Sequence, residues 1–133
     1  MKKILSILCA AVMMLGLTAC GTESQHSISY ERGERINLYE QYDCVAVYTK
    51  YTNGSSDTVI PADYVSVKAY QNGIELSILV PTGDRINDYV PCDTNIQGGT
   101  TADVVWLFQL DDDSPVSVEL SDGSKYEISL TEE

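Results

Sequence analysis

The sequence has a single histidine, and this scarcity limits the chemistry that we expect. His26 lies in a short polar stretch near the N-terminus. Catalysis by a serine or cysteine nucleophile needs an imidazole held rigidly beside that nucleophile, which a histidine in a flexible stretch does not provide. One histidine and widely separated cysteines do not make a zinc site either. We therefore expect no enzyme of these classes and no cofactor.

Basic residues are also scarce. The chain has 8 Lys and Arg against 20 Asp and Glu, for a net charge of −12. A chain this acidic is repelled by nucleic acid and by anionic lipid headgroups, so no nucleic-acid partner is expected. The many carboxylates offer pairs of the kind that glycosidases use, but their abundance makes any one pair uninformative. A glycan-acting enzyme is therefore the least favoured alternative.

No apolar run is long enough to span a bilayer. Residues 4–17 form an uncharged stretch of about 14 residues, whereas a membrane span needs about 20. The stretch follows Lys2 and Lys3 and ends in residues 17–20 (LTAC). A basic start followed by a short apolar region is typical of a signal peptide.

Together these features resemble the precursors of bacterial lipoproteins. The resemblance implies a signal peptide over residues 1–19 and a mature chain that begins at Cys20. The Cys20 thiol would take up a diacylglyceryl group, with acyl chains such as palmitate, as a thioether. We therefore expect an anchor on the extracytoplasmic face of the cell membrane. Loss of Lys2 and Lys3 leaves six basic against twenty acidic residues, a net charge of −14.

The remaining chain is expected to form a lipidated N-terminus and short tether (residues 20–29) and one domain (residues 30–133). Ten residues reach about 35 Å when fully extended, so the domain should lie close to the membrane.

The domain shows repeated strand patterns and no long amphipathic helix. β-branched and aromatic residues alternate with period two over residues 44–52, which is typical of a strand. Asn72-Gly73 and Asp122-Gly123 predict two hairpins, whereas residues 81–100 read as a long loop. Residues 30–43 fit either a helical turn or an irregular first strand. We predict an all-β, antiparallel immunoglobulin-like β-sandwich of six to seven strands, the clear ones over residues 44–52, 64–70, 74–80, 102–110, 116–120 and 125–130.

Four motifs occur in an order that resembles an uncharacterised family of Gram-positive envelope lipoproteins. They are residues 51–55 (YTNGS), 71–76 (QNGIEL), 98–100 (GGT) and 110–118 (LDDDSPVSV). The resemblance covers roughly residues 42–130. It implies a domain of unknown function with an immunoglobulin-like sandwich, and it implies no catalytic residue.

Cys44 and Cys92 are the two cysteines left once Cys9 and Cys20 are assigned to the signal peptide and the lipid. They either form a disulfide, which would contribute about 2–4 kcal/mol, or are two small buried thiols. The resemblance does not support the disulfide.

Asp111, Asp112 and Asp113 form the one candidate metal site, with Asp122 as a further carboxylate. Calcium prefers several oxygen ligands, but these residues lack the alternating spacing of a calcium loop. The favoured interpretation is a solvated turn without a metal.

Tyrosine is abundant, with nine residues. A subset on or near the strands is a candidate binding surface for a glycan or a protein partner: Tyr48, Tyr51, Tyr64 and Tyr70. The alternative is that tyrosine serves here as an ordinary strand former.

The sequence thus favours a non-catalytic, lipid-anchored binding or interaction module at the cell envelope. Its expected partners are the membrane, through Cys20, and an envelope protein or polymer. The alternative is a structural or stress-related envelope lipoprotein with no specific ligand.

Overall fold

The computed structural model describes residues 25–81 and 84–130 of the chain, and this part is almost entirely β-structure. Its helical segment is a single 3-10 turn, Pro61–Asp63. The expected all-β class is confirmed. The described residues form nine strands: β1 (His26–Leu38), β2 (Tyr42–Asn53), β3 (Val67–Gln71), β4 (Ile74–Glu75), β5 (Ile78–Leu79), β6 (Val90–Pro91), β7 (Thr101–Gln109), β8 (Val116–Leu120) and β9 (Lys125–Ile128).

The first sheet has the strand order β1-β2-β7, and β5 and β6 share the far edge of β7. β5 pairs antiparallel with the C-terminal half of β7, whereas β6 pairs parallel with its N-terminal half. Trp106 and Phe108 of β7 are buried in the core between the sheets, and Val105 and Leu107 are buried on the opposite face. β7 is therefore covered by apolar side chains on both of its faces.

The second sheet has the order β4-β3-β8-β9, joined by the two expected hairpins. At the first hairpin, Asn72 (φ 54°) and Gly73 (φ 82°) both adopt the left-handed conformation, which a two-residue turn between antiparallel strands requires. The second hairpin turns at Gly123 (φ 94°).

The two sheets pack face to face around one apolar core. The inward faces of β2, β7, β3 and β8 supply most of it, because side chains alternate between the two faces of a strand. Tyr126 lies outside this core, at the exposed edge of the second sheet. There its ring stacks on Tyr30, with centroids 4.2 Å apart.

β1 answers the question that the sequence left open for residues 30–43. Residues 30–38 form an irregular strand, paired with β2 and shifted in register between Tyr30 and Arg32. Residues 39–41 form the turn into β2, which begins at Tyr42. β1 begins at His26, so the expected tether ends too late and residues 26–29 belong to the domain. The reason is that Ile28 is buried and lies opposite Tyr51 in the sheet.

Residues 74–80 do not form the single strand that was expected. The chain leaves the second sheet after β4 and joins the first sheet as β5, where Ile78 lies opposite Phe108. Leu76, between the two strands, is buried in the core. This segment therefore crosses from one sheet to the other.

Two buried amide side chains hold the loops at opposite ends of the fold. Asn53 Nδ2 donates hydrogen bonds to the carbonyls of Asp57 and Ile96. Gln71 Nε2 donates to the carbonyls of Asp112 and Ser114, and its Oε1 accepts from the backbone N–H groups of residues 111 and 112. Satisfied buried amides of this kind fix loop geometry, because losing a partner leaves a costly unpaired group.

Candidate functional site

The prediction that four tyrosines form one binding surface is wrong, because the structure separates them. Tyr48 and Tyr51 are both 0% exposed and point to opposite faces of β2. Tyr64 is 56% exposed near the start of β1, whereas Tyr70 is half-buried on the second sheet. The four side chains cannot present one surface.

Tyr48 instead ties a loop to the outer face of the first sheet. Its hydroxyl donates a 2.6 Å hydrogen bond to Glu34 Oε2, and Asn87 Nδ2 donates to both groups, at 2.9 Å and 2.8 Å. The Arg32 guanidinium lies 4.1 Å from the centre of the Tyr48 ring. Burial, together with the Glu34 carboxylate, raises the pKa of Tyr48 to about 12. The phenol therefore stays protonated and serves as a structural donor.

This loop covers a second apolar cluster. The cluster consists of Leu38, Cys44, Ala46, Tyr48, Val105 and Leu107. Ile86 and Tyr89 pack against it from the loop side, and the Tyr89 hydroxyl donates to Glu31 Oε1 at 2.5 Å. Asn87 has a φ of 51°, an uncommon value outside glycine, while its side chain binds Glu34 and Tyr48. The loop is thus fastened at several points.

His26 is not the flexible residue that the sequence suggested. Its Nδ1 lies 2.6 Å from the Tyr51 hydroxyl, and its ring stacks on Tyr64 with centroids 4.1 Å apart. Ser121 and Asp122 line the same surface depression. Their hydrogen bonds go elsewhere, however: Ser121 Oγ accepts from the Ser66 N–H, and Asp122 accepts from Ser124. The imidazole is therefore engaged with a phenol and not with a nucleophile.

The two cysteines do not form the disulfide that was one of the two expectations. Both thiols are free and buried. Cys44 belongs to the outer apolar cluster, whereas Cys92 belongs to the core between the sheets, so the first sheet separates them. Burial raises the pKa of each thiol to about 11, which makes both poor nucleophiles at neutral pH.

The aspartates of residues 111–113 do not fit the calcium candidate. Asp113 Oδ1 accepts a 2.7 Å hydrogen bond from Arg35, while Asp112 Oδ1 accepts one from the Ser114 N–H at 2.8 Å. The carboxylates thus turn to different partners, one of them a cation. Among the described residues, no group of acidic, histidine or cysteine side chains converges in a way that could hold a metal ion.

A concave, largely apolar groove lies beside the segment that crosses between the sheets. The groove has a volume of about 500 Å³. The aromatic rings of Trp106 and Phe108 line it together with Leu76, and all three are buried core residues. Its remaining lining residues are Ala62, Val65, Ser66, Val67, Lys68, Glu75, Ser77 and Ile78. We call this feature the edge groove.

Three aliphatic residues of the segment that crosses between the sheets are exposed, and one of them, Ile78, lines the edge groove. Ile74 is 63% exposed, Ile78 46% and Val80 44%. Within residues 25–81 and 84–130, the other strongly exposed large hydrophobic residues are all tyrosines. Single exposed apolar residues are ordinary, whereas three of them lie here within seven residues of sequence.

Sequence reasoning missed the edge groove, although one signal was present. Residues 78–80 (ILV) are three consecutive apolar residues at the end of a stretch that otherwise alternates. An alternating strand cannot bury all three against one core. The irregularity marked the point where the chain leaves the regular pattern.

The proposed signal peptide, residues 1–19, and the lipid attachment residue Cys20 lie outside the described residues. In the part of the chain that the structure describes, no helix has the length and apolar character needed to cross a membrane.

Comparison with known proteins identifies the fold and the family. The solved structure of a "putative lipoprotein" from Staphylococcus aureus subsp. aureus NCTC 8325 is similar, with a TM-score of 0.57 and 14% identity over 78% of this chain and 83% of that chain. At that identity the similarity concerns the fold alone. No curated protein matches the chain. The profile of DUF5067, a domain of unknown function, matches residues 21–122. This match spans most of the chain, which therefore belongs to the DUF5067 family.

Proposed function

We propose that this protein is a lipoprotein of a Gram-positive envelope, anchored to the extracytoplasmic face of the membrane through Cys20. Its domain, which we assign to the immunoglobulin-like β-sandwiches, is a non-catalytic binding module that holds a protein partner in the edge groove. The observation that carries the binding role is an apolar cleft lined by the exposed side chain of Ile78, in a segment that also exposes Ile74 and Val80.

The start of β1 supports a tight anchor. The first strand begins at His26, so five residues separate it from Cys20, and the distance between the two residues is at most about 20 Å when the chain is fully extended. This distance is shorter than the reach of about 35 Å that was expected for a ten-residue tether. The end of the domain that carries His26 and Tyr64 therefore faces the membrane, and partners must be membrane proteins or must come to the surface.

The composition of the groove supports binding over catalysis. Apolar side chains form most of its lining, with Lys68 and Glu75 as the charged members. A cleft of this kind orients an apolar ligand with a few polar contacts.

Site-specific photo-crosslinking in cells tests this proposal. A photoreactive amino acid at Ile78 should give a discrete protein adduct in the membrane fraction, whereas the same group at Ser117, exposed on the second sheet, should not. Introducing Cys20→Ser should move the protein out of the membrane fraction and remove the adduct. Equal adducts at both positions, or none at either, would refute the binding role and favour the structural lipoprotein alternative.

A further inference from the structure

We infer that the occupant of the edge groove is an extended segment of a basic partner protein, which adds as a strand to the outer edge of β5. This inference rests on the proposed function, and it specifies both the binding mode and the chemistry of the partner.

The strand order supplies the first argument. β5 is the terminal strand of the first sheet and β4 is the terminal strand of the second, so both sheets end on the side where the edge groove opens. The outer backbone groups of a terminal strand can pair with another extended chain. Peptide recognition by strand addition uses this arrangement: main-chain hydrogen bonds supply affinity, and pockets for alternate side chains supply specificity.

The register of β5 defines which positions of the added strand enter the groove. Ile78 lies opposite Phe108 and shares its inward face, whereas Leu79 lies opposite Leu107 on the outer face. Neighbouring strands of a sheet keep the same alternation. Every second side chain of the added strand would therefore lie beside Ile78 and over the apolar groove. The partner segment should be apolar at alternate positions.

The negative net charge of the domain favours a basic partner. The described residues contain seventeen Asp and Glu against six Lys and Arg, a net charge of −11. Of the six basic residues, Arg32, Arg35, Lys50 and Lys125 already form ion pairs with carboxylates. The field around the domain is therefore negative, and it attracts a cationic chain and increases its rate of association.

The same charge disfavours a second copy of this chain as the occupant. Two copies would bring together domains that each carry a net charge of −11 over the described residues. Like charges at an interface suppress association. A partner segment with Lys or Arg on both sides of its apolar positions would match both the apolar edge groove and the negative field of the domain.

Trp106 provides a direct readout, because it is the only tryptophan in the chain and lines the groove. The full-length lipoprotein in detergent is titrated with two peptide pools that share alternating apolar cores and differ in flanking Lys or Glu. We expect the Lys-flanked pool to shift the Trp106 emission and to bind at least about tenfold more tightly at low salt, with the ratio shrinking in high salt. Proline in the core, which lacks the backbone donor, should abolish binding.

Matched variants locate the site. Ile78→Lys should remove binding of the Lys-flanked pool, whereas Ser117→Lys, which adds the same charge to the second sheet, should leave most of it. Glu75→Gln should weaken binding of this pool and Lys68→Gln should strengthen it, because the two residues line the groove with opposite charges.

The outcomes separate the inference from the proposed function. Equal or tighter binding of the Glu-flanked pool through Ile78 would overturn the basic partner and leave the binding module standing. Tolerance of core proline would overturn strand addition. A dimer at physiological salt that Ile78→Lys abolishes would make a second copy the occupant. If neither pool bound, both the inference and the proposed groove would fall.

Discussion

The two sides of the fold where sheet edges approach each other are built differently. On the first side, β1 packs against β9: Tyr30 stacks on Tyr126, and Gly33 lies directly against Ile128. We call this the closed side. On the other side, β4 and β5 border the edge groove, and Ile78 in its lining is exposed. We call this the open side.

The two edges also differ in how readily they can pair with a strand of another chain. β1 carries alternating charges at Glu31, Arg32, Glu34 and Arg35, and its register shifts between residues 30 and 32. Charges and bulges are the usual means by which an edge strand avoids pairing with another chain. The open side has Glu75 as its one acidic residue among apolar neighbours in residues 74–80. The same chain therefore protects one edge more than the other, and this contrast supports the proposal that binding occurs at the open side.

The largest expected effect on stability comes from a residue that lies both in the core and in the lining of the edge groove. Phe108→Ala should lower the free energy of unfolding by about 3–5 kcal/mol, because a buried aromatic is replaced by a cavity. Phe108 is part of the shared core as well as of the groove lining. Urea unfolding followed by Trp106 emission measures this loss. A decrease in the free energy of unfolding of less than about 1 kcal/mol would mean that the groove lining at Phe108 is not part of the folded core.

The next effect tests whether the closed side is packed as tightly as it looks. A Cβ at Gly33 would clash with the Ile128 side chain and lie 2.8 Å from its Cγ1. Gly33→Val should therefore cost about 1–3 kcal/mol through overpacking. Thermal unfolding of this variant, of Ile128→Ala and of the double variant forms a cycle. We expect the double variant to be more stable than the sum predicts, because the smaller side chain relieves the clash; strict additivity would contradict it.

The features that the sequence predicted well are local ones. Asn72-Gly73 predicted its hairpin because both residues accept positive φ, and the alternation of residues 44–52 predicted which side chains of β2 share a face. The four motifs behind the family resemblance also have a structural explanation. Asn53 and Gln71 each bind a distant loop that carries another motif, and a Cβ at Gly98 would lie 2.5 Å from the Ser55 carbonyl oxygen.

The features that it missed depend on contacts between distant residues. Period-two alternation shows that Tyr48 and Tyr51 point to opposite faces, but not that a loop covers the outer face and buries Tyr48. His26 looked like part of a tether because its neighbours are small and polar, and its partners, Tyr51 and Tyr64, lie far along the chain. The edge groove arises where residues 74–80 change sheets, which depends on the pairing of Ile78 with Phe108.

A smaller effect concerns the ion pairs that brace the charged strand of the closed side. Arg35 donates to Asp43 at 2.6 Å and 2.9 Å, and this lowers the pKa of Asp43. A carboxyl group with a lowered folded-state pKa stabilises the protein above its ordinary pKa, and the contribution is lost as the pH falls through the folded-state value. The urea midpoint of the wild type should therefore exceed that of Asp43→Asn at pH 7 and approach it below about pH 3. Because the pair is exposed, about 1 M salt should also shrink the difference; a gap unchanged by acid would contradict the ion pair.

The smallest effect on stability is the sharpest test of the contrast between the two sides. Ile78→Lys gives the open edge the kind of charge that β1 already carries, and Ile78 is half-exposed, so the free energy of unfolding should change by less than about 1 kcal/mol. Self-association should respond much more. At low salt the negative charge keeps copies of the wild type apart, whereas about 1 M salt screens it and lets the apolar edges meet. Sedimentation velocity should then show salt-induced association of the wild type that Ile78→Lys prevents and that Ser117→Lys does not. If Ile78→Lys left the salt-induced association unchanged, the self-associating surface would lie elsewhere. The predicted difference between the open and the closed side would then be wrong.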